Sequence, residues 1–314
     1  MTTGRALAAQ IEAFLRFKRS IGCKYVRAEF WLNAFCQFVR RDSGSTARLE
    51  DLARAWLARN DRRKAVSVAY ELSVLRQFFV YLKRSDLTVV VPDSSWARRS
   101  TSEFLPHILD AKDIKSLLAG AERLRFPITR AVYRALLLVL YCTGLRFGEA
   151  VRLRLSDLDL RRRALWIAES KGRARWVPFH TSLTRELVHY LAVRGRHSAA
   201  TSSNALFLSS SGAPLRVKTA SQVVRLLLRR ARLKPSSGRV GPRPYDIRHA
   251  FAVQRLVHWY RARVDVHTRL PWLSAYMGHD DILGTEVYLT ATPQLLHLAA
   301  RRLRGRLIAR RRWA

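Results

Sequence analysis

Three short segments of this chain place basic or nucleophilic side chains at marked backbone positions. The first is Thr143-Gly144-Leu145-Arg146-Phe147-Gly148-Glu149, the second Ser170-Lys171-Gly172 and the third Tyr245-Asp246-Ile247-Arg248-His249. Gly278-His279 comes next, and Tyr288 stands nine residues after that histidine. Guanidinium groups present planar, fixed donors that can meet two oxygens of an anion at once. A tyrosine hydroxyl can attack a phosphate and keep it as a covalent ester. Arginine, with its very high pKa, is a poor proton donor, whereas a lysine can give a proton to a leaving oxygen. The set suits chemistry at a phosphate.

Taken singly, each residue also has a structural role open to it. Arg146 could cap the carbonyls of the preceding helix, and Lys171 could be a solvated hairpin lysine. Arg248 could pair with Asp246 or Glu149, and Tyr288 could be a half-buried core aromatic. The order and spacing of all five distinguish a site from coincidence.

In that order and spacing the segments resemble the tyrosine recombinase (phage integrase) family, over about residues 103–300. A Glu three residues after the first arginine (Glu149) and an acid beyond the following leucines (Asp157) extend the resemblance. The resemblance implies a site-specific DNA recombinase or integrase that cleaves and rejoins strands through a 3′-phosphotyrosine on Tyr288. Arg146 and Arg248 then hold the non-bridging oxygens, Lys171 protonates the leaving 5′ oxygen, and His279 donates a hydrogen bond to the phosphate. No metal or nucleotide cofactor is implied, because the ester conserves the bond energy. The implied partner is double-stranded DNA, with four protomers, of one kind or several, acting on two duplexes. Residues Pro244 to Gln254 and Trp272 to Leu289 look most like recombinases of transposons and integrated elements.

One position departs from the family. The His usual three residues before the second arginine is here Tyr245, which leaves the general base for Tyr288 unassigned. His249 follows Arg248 directly; on a helix it points about 100° away and reads as a buried structural histidine. The interval from Arg248 to His279 is long, and Val257 to Leu270 reads as an insertion between helices. Two alternatives stay open, a type IB topoisomerase-like activity and a non-catalytic DNA-binding regulator derived from a recombinase. A metal-dependent transposase needs carboxylates placed to hold two ions, and the acids here show no such pattern.

Apolar periodicity places these residues on a fold that is mainly α with a small β-sheet. Residues 1–85 carry four helical stripes, among them Leu7, Ile11, Phe14 and Leu15, then Phe30, Trp31, Ala34, Phe35 and Phe38. They read as a small helical domain, which by the resemblance is the family's core-binding domain. Residues 86–102 lose the period and include Val89-Val90-Val91-Pro92, an extended linker. Residues 103–301 form the expected catalytic domain. Asp110 is a candidate N-cap, and Gly144 a left-handed stop that puts Arg146 at the mouth of the next helix. Residues 164–167 and 175–179 read as two strands joined by a turn that holds Lys171. Residues 302–314 are a basic tail, with Leu303, Leu307 and Ile308 as candidate packing residues against a neighbouring protomer.

Composition agrees with a polyanionic partner. The 314 residues include 58 Lys+Arg against 23 Asp+Glu, a formal charge of +35. Residues 1–100 hold 19 basic and 9 acidic side chains, and residues 101–314 hold 39 and 14, so both halves are basic. Such a surplus gains most from a dense row of phosphates. The longest apolar run, Ala135 to Cys142, is too short to span a bilayer, and the N-terminus lacks a secretory core. Three cysteines without CxxC spacing suit a reducing compartment, and the expected location is cytoplasmic.

Overall fold

A computed structural model of the chain describes residues 4–41, 47–60, 62–97, 107–168, 174–197, 203–238, 240–279, 281–286, 288–289 and 295–301. The chain divides into two compact units, Met1–Glu103 and Phe104–Ala314.

Four helices build the first unit: α1 (Gly4–Ser20), α2 (Val26–Arg41), α3 (Leu49–Ala58) and α4 (Ala65–Lys83). Each buries one stripe at helical spacing. On α2 the stripe is Ala28, Leu32, Phe35 and Val39, which leaves Phe30 on the outer face and 63% exposed, contrary to its expected place in the core. Helix α4 is long and apolar enough to cross a membrane by composition. Here it packs Leu72, Leu75, Phe78 and Phe79 into the core of the unit. Its buried Glu71 is held by Arg59 at 3.0 Å and by Arg63, so the charge taken out of water is paired. Val89-Val90-Val91 forms no strand, and a single 3-10 turn, Ser94–Trp96, follows it.

The second unit begins with α5 (Ala111–Glu122), where Asp110 and Asp113 form a reciprocal capping box. Next comes α6 (Pro127–Thr143), started by a proline that has no N–H to leave unpaired. Val132, Leu136, Leu137 and Val139 of α6 are wholly buried; each such side chain contributes roughly 1.5–3 kcal/mol. Gly144 ends α6 at φ +62°, and α7 (Phe147–Val151) starts after Arg146.

The sheet is antiparallel in the order β1-β2-β3: β1 (Leu158–Asp159), β2 (Ala164–Ile167) and β3 (Arg175–Pro178). Leu165 faces Val177 across β2 and β3, and both are wholly buried. Strand β1 was not expected, since two residues are too few to show alternation. After α8 (Thr181–Gly195) and α9 (Val217–Arg230) come α10 (Asp246–Arg261), α11 (Val266–Met277), α12 (Leu283–Glu286) and helical residues 295–301. Helix α11 starts at Val266, capped by Asp265, rather than at Leu270. The segment from Val257 to Leu270 is the end of α10, a tight connection and the first turn of α11, so most of it is helix. Val257, Val266 and Leu270 are buried there.

Candidate active site

Two helix ends meet at the site, and both end on a left-handed glycine. Gly144 closes α6 and Gly278 closes α11, at φ +62° and +70°. Unpaired carbonyls at a helix C-terminus carry partial negative charge, which favours cations. Arg248, from the first turn of α10, uses both ends. Its Nη1 donates to the Gly144 carbonyl at 2.7 Å and its Nη2 to the Met277 carbonyl at 2.8 Å. Arg248 is 1% exposed, and burial pulls its pKa below the ordinary value against the opposing pull of Tyr245 and Tyr288.

Two more arginines grip the end of α11. Arg146 donates to the Gly278 carbonyl. Arg175, at the start of β3, donates through Nε to the Tyr276 carbonyl at 2.9 Å and through Nη2 to the Met277 carbonyl at 3.0 Å. Glu149, buried on α7, ties the two together. It lies 2.9 Å from Arg146 and 3.1 Å from Arg175, and it also accepts from the Arg146 backbone N–H at 3.0 Å. One carboxylate thus serves two guanidiniums, while Arg248 has no carboxylate within ion-pair distance among the described residues.

His279 follows the gripped turn. Its Nε2 lies 2.9 Å from Arg248 Nη2, and its Nδ1 lies 2.7 Å from the Thr285 hydroxyl. A guanidinium only donates, so Nε2 accepts and Nδ1 carries the proton. Burial, with the charges of Arg248, Arg146 and Arg175, pushes the imidazole pKa down to about 4. In this arrangement His279 is a neutral acceptor with both nitrogens engaged. Donation to a phosphate, as the sequence suggested, requires Arg248 to release Nε2 first.

Tyr288 is 2% exposed and lies among these groups. Its ring stacks on His279 at 6.2 Å between centroids and meets His249 nearly edge-on at 5.3 Å. Burial pushes the phenol pKa up, against the opposing pull of Arg248. Tyr245, the N-cap of α10, is 40% exposed and packs on His249 at 5.0 Å. His249 therefore touches both tyrosine rings rather than lying apart from the site.

The phage integrase family model matches residues 107–294, more than half of the chain. The chain belongs to the phage integrase family of tyrosine recombinases. A protein of Sinorhizobium fredii named as an integrase/recombinase, y4rB, is 33% identical over 303 residues, covering 94% of this chain and 96% of that one. The tyrosine recombinase XerD of Mycobacterium tuberculosis is 30% identical over 238 residues, covering 74% of this chain and 72% of its own. Among solved structures, the Tn1549 transposon integrase in complex with circular intermediate DNA has a similar fold, with TM-score 0.67 at 17% identity. It matches 94% of this chain and 99% of its own.

Within this recombinase fold, Arg146, Arg248, His279 and Tyr288 come together around the ends of α6 and α11, with Tyr245 at the rim. Lys171 lies outside the described residues, as do the rest of its turn and tail residues Leu303, Leu307 and Ile308. Arg175 was missed by the sequence reading. One signal was available: on β3 it shares a face with Val177, which is wholly buried, so strand alternation turns an arginine inward. Thr285, also wholly buried, had no comparable signal.

Proposed function

We propose that the chain is a site-specific DNA recombinase whose nucleophile is Tyr288. The Tyr288 hydroxyl attacks a DNA phosphorus, the O–P bond forms, and the 5′ oxygen leaves with a proton from Lys171. Arg146 and Arg248 meet the non-bridging oxygens as charge builds there in the transition state. Four protomers on two duplexes then exchange strands through a Holliday junction, in the cytoplasm. Relatives named integrase or recombinase and a transposon integrase solved with circular intermediate DNA support this reading.

The observation that carries it is the charge of Arg248. A guanidinium 1% exposed, with carbonyls, a neutral imidazole and the Tyr288 phenol against it and no carboxylate within ion-pair distance among the described residues, is an unbalanced cation. Buried charges are normally paired, and a phosphate is the partner whose geometry two neighbouring arginines fit.

The test is covalent trapping on nicked duplexes taken from the DNA flanking the gene, with EDTA present, comparing the wild type with Tyr288→Phe. The expected result is an adduct that survives denaturant in the wild type and is absent from the variant. Binding without any adduct favours a DNA-binding regulator, and relaxation of any supercoiled plasmid favours a topoisomerase.

A further inference from the structure

Tyr288 needs a proton acceptor. Its pKa is raised by burial, so at neutral pH the phenol holds its proton until a base takes it. Tyr245 is a poor base, and His279 has both nitrogens in use. Among the described residues around Tyr288, one basic atom is idle. His249 Nδ1 is shielded from solvent and has no hydrogen-bond partner.

The other nitrogen of His249 explains why Nδ1 is the free one. Nε2 lies 3.8 Å from the carboxylate of Asp246, three residues earlier on α10. Asp246 is 1% exposed and is itself fixed by the backbone N–H of Arg243 at 2.8 Å. A carboxylate on that side favours the tautomer with the proton on Nε2, which leaves the Nδ1 lone pair open. Asp246 lies beside one nitrogen of the His249 ring and the Tyr288 ring packs against the same imidazole, a grouping from which a small ring or phenol movement would build an acid, an imidazole and a nucleophile in sequence.

We propose that His249 receives the proton of Tyr288, standing in for the histidine absent at position 245. This assignment rests on Tyr288 as the nucleophile. As the Tyr288 oxygen bonds to phosphorus, its proton passes to His249 Nδ1, and the phosphorus–5′-oxygen bond breaks with a proton from Lys171. The imidazolium that forms faces Asp246. On religation both protons return. Tyr245 also packs against His249, so its bulk helps to fix the imidazole beside Tyr288 while supplying no base.

The groups facing His249 set its working range. Asp246 and Arg248 come from α10, Arg243 from the residues before it, Tyr288 from the segment after α12, and Arg225 of α9 lines the same cleft. Burial together with Arg243 and Arg248 keeps the imidazole pKa below its ordinary value, so His249 is neutral and able to accept at pH 7.

The experiment is single-turnover cleavage of the nicked flanking duplexes by the full chain, from pH 5 to 9, with wild type, His249→Phe and His249→Ala. His249→Phe keeps an aromatic edge against Tyr288 and removes the base. It is expected to slow adduct formation on the order of 100-fold with DNA affinity unchanged and to flatten the acid limb of the pH–rate profile. Added imidazole is expected to speed His249→Ala. Wild-type cleavage by His249→Phe overturns the assignment, as does a folded, DNA-binding His249→Ala that imidazole leaves unchanged. A wild type that forms no adduct on any flanking duplex removes the Tyr288 reading and this one with it, and so is told apart from failure of His249 alone.

Discussion

Arg248 and His279 meet at 2.9 Å with the guanidinium as donor, and this contact fixes the imidazole in its neutral, accepting form. The same Nη2 also donates to the Met277 carbonyl at 2.8 Å, so the arginine, the end of α11 and the histidine are held as one unit. A phosphate that draws Arg248 away from this contact frees His279 Nε2. The proposed substrate thereby changes the protonation demands of its own site, and the resting arrangement is one step short of the arrangement that the chemistry uses.

Acid should weaken this unit before it weakens the rest of the fold. The His279 pKa lies at about 4, below the ordinary value, so in the pH range between the two the unfolded chain binds a proton that the folded chain does not. Stability is then complete above the ordinary histidine pKa and falls as pH drops toward 4. His249, also shifted down, acts in the same direction. Melting curves taken between pH 7 and pH 4 should show a decline that is shallower in His279→Gln. An equal decline in both proteins would falsify the account.

Glu149 should cost more to remove than any surface acid. It is the carboxylate shared by Arg146 and Arg175, whose side chains are 20% and 10% exposed. Glu149→Ala leaves two largely buried guanidiniums without it, a change that typically costs about 3–5 kcal/mol. Urea denaturation measures this directly. Glu12→Ala is the control, since Glu12 and its partner Arg16 are both about 70% exposed and such pairs contribute roughly 0–1 kcal/mol.

The helical stripes of both units, the Asp110 cap and the stop at Gly144 were legible because each is a local property of a few consecutive residues. That Arg146, Arg248, His279 and Tyr288 lie near one another was legible through their order and spacing. Neither the grip of Arg175 on the end of α11 nor the place of His249 beside Tyr288 could be read that way. Arg175 reaches carbonyls about 100 residues away in the chain, and His249 meets Tyr288 only because the segment after α12 returns to α10. The early start of α11 was hidden by Pro271 inside the helix and by Trp272, which is 68% exposed and breaks the expected apolar stripe.

Gly144→Ala should damage the site without touching any charged residue. At φ +62° a side chain costs about 1–2 kcal/mol. The added methyl would also overlap the Phe251 ring, which stacks on Tyr276 at 5.6 Å, and overpacking of this kind adds about 1–3 kcal/mol. The displaced backbone carries the carbonyl that holds Arg248 at 2.7 Å. Loss of adduct formation should therefore exceed the loss of DNA affinity, measured by trapping and by binding at equal protein concentration.

Salt should control affinity more strongly than the site residues do. The charge of +35 is spread over both halves of the sequence, and each phosphate neutralised releases condensed counterions. For about ten phosphate contacts, log K against log salt should fall with a slope near −9. Tyr288→Phe should leave that slope unchanged, because the buried phenol carries no charge in the bound complex before cleavage. Arg248→Gln should reduce it by about one, since one cation is lost. A slope near zero in the wild type removes the DNA reading altogether, and a slope insensitive to Arg248→Gln removes that residue from the phosphate.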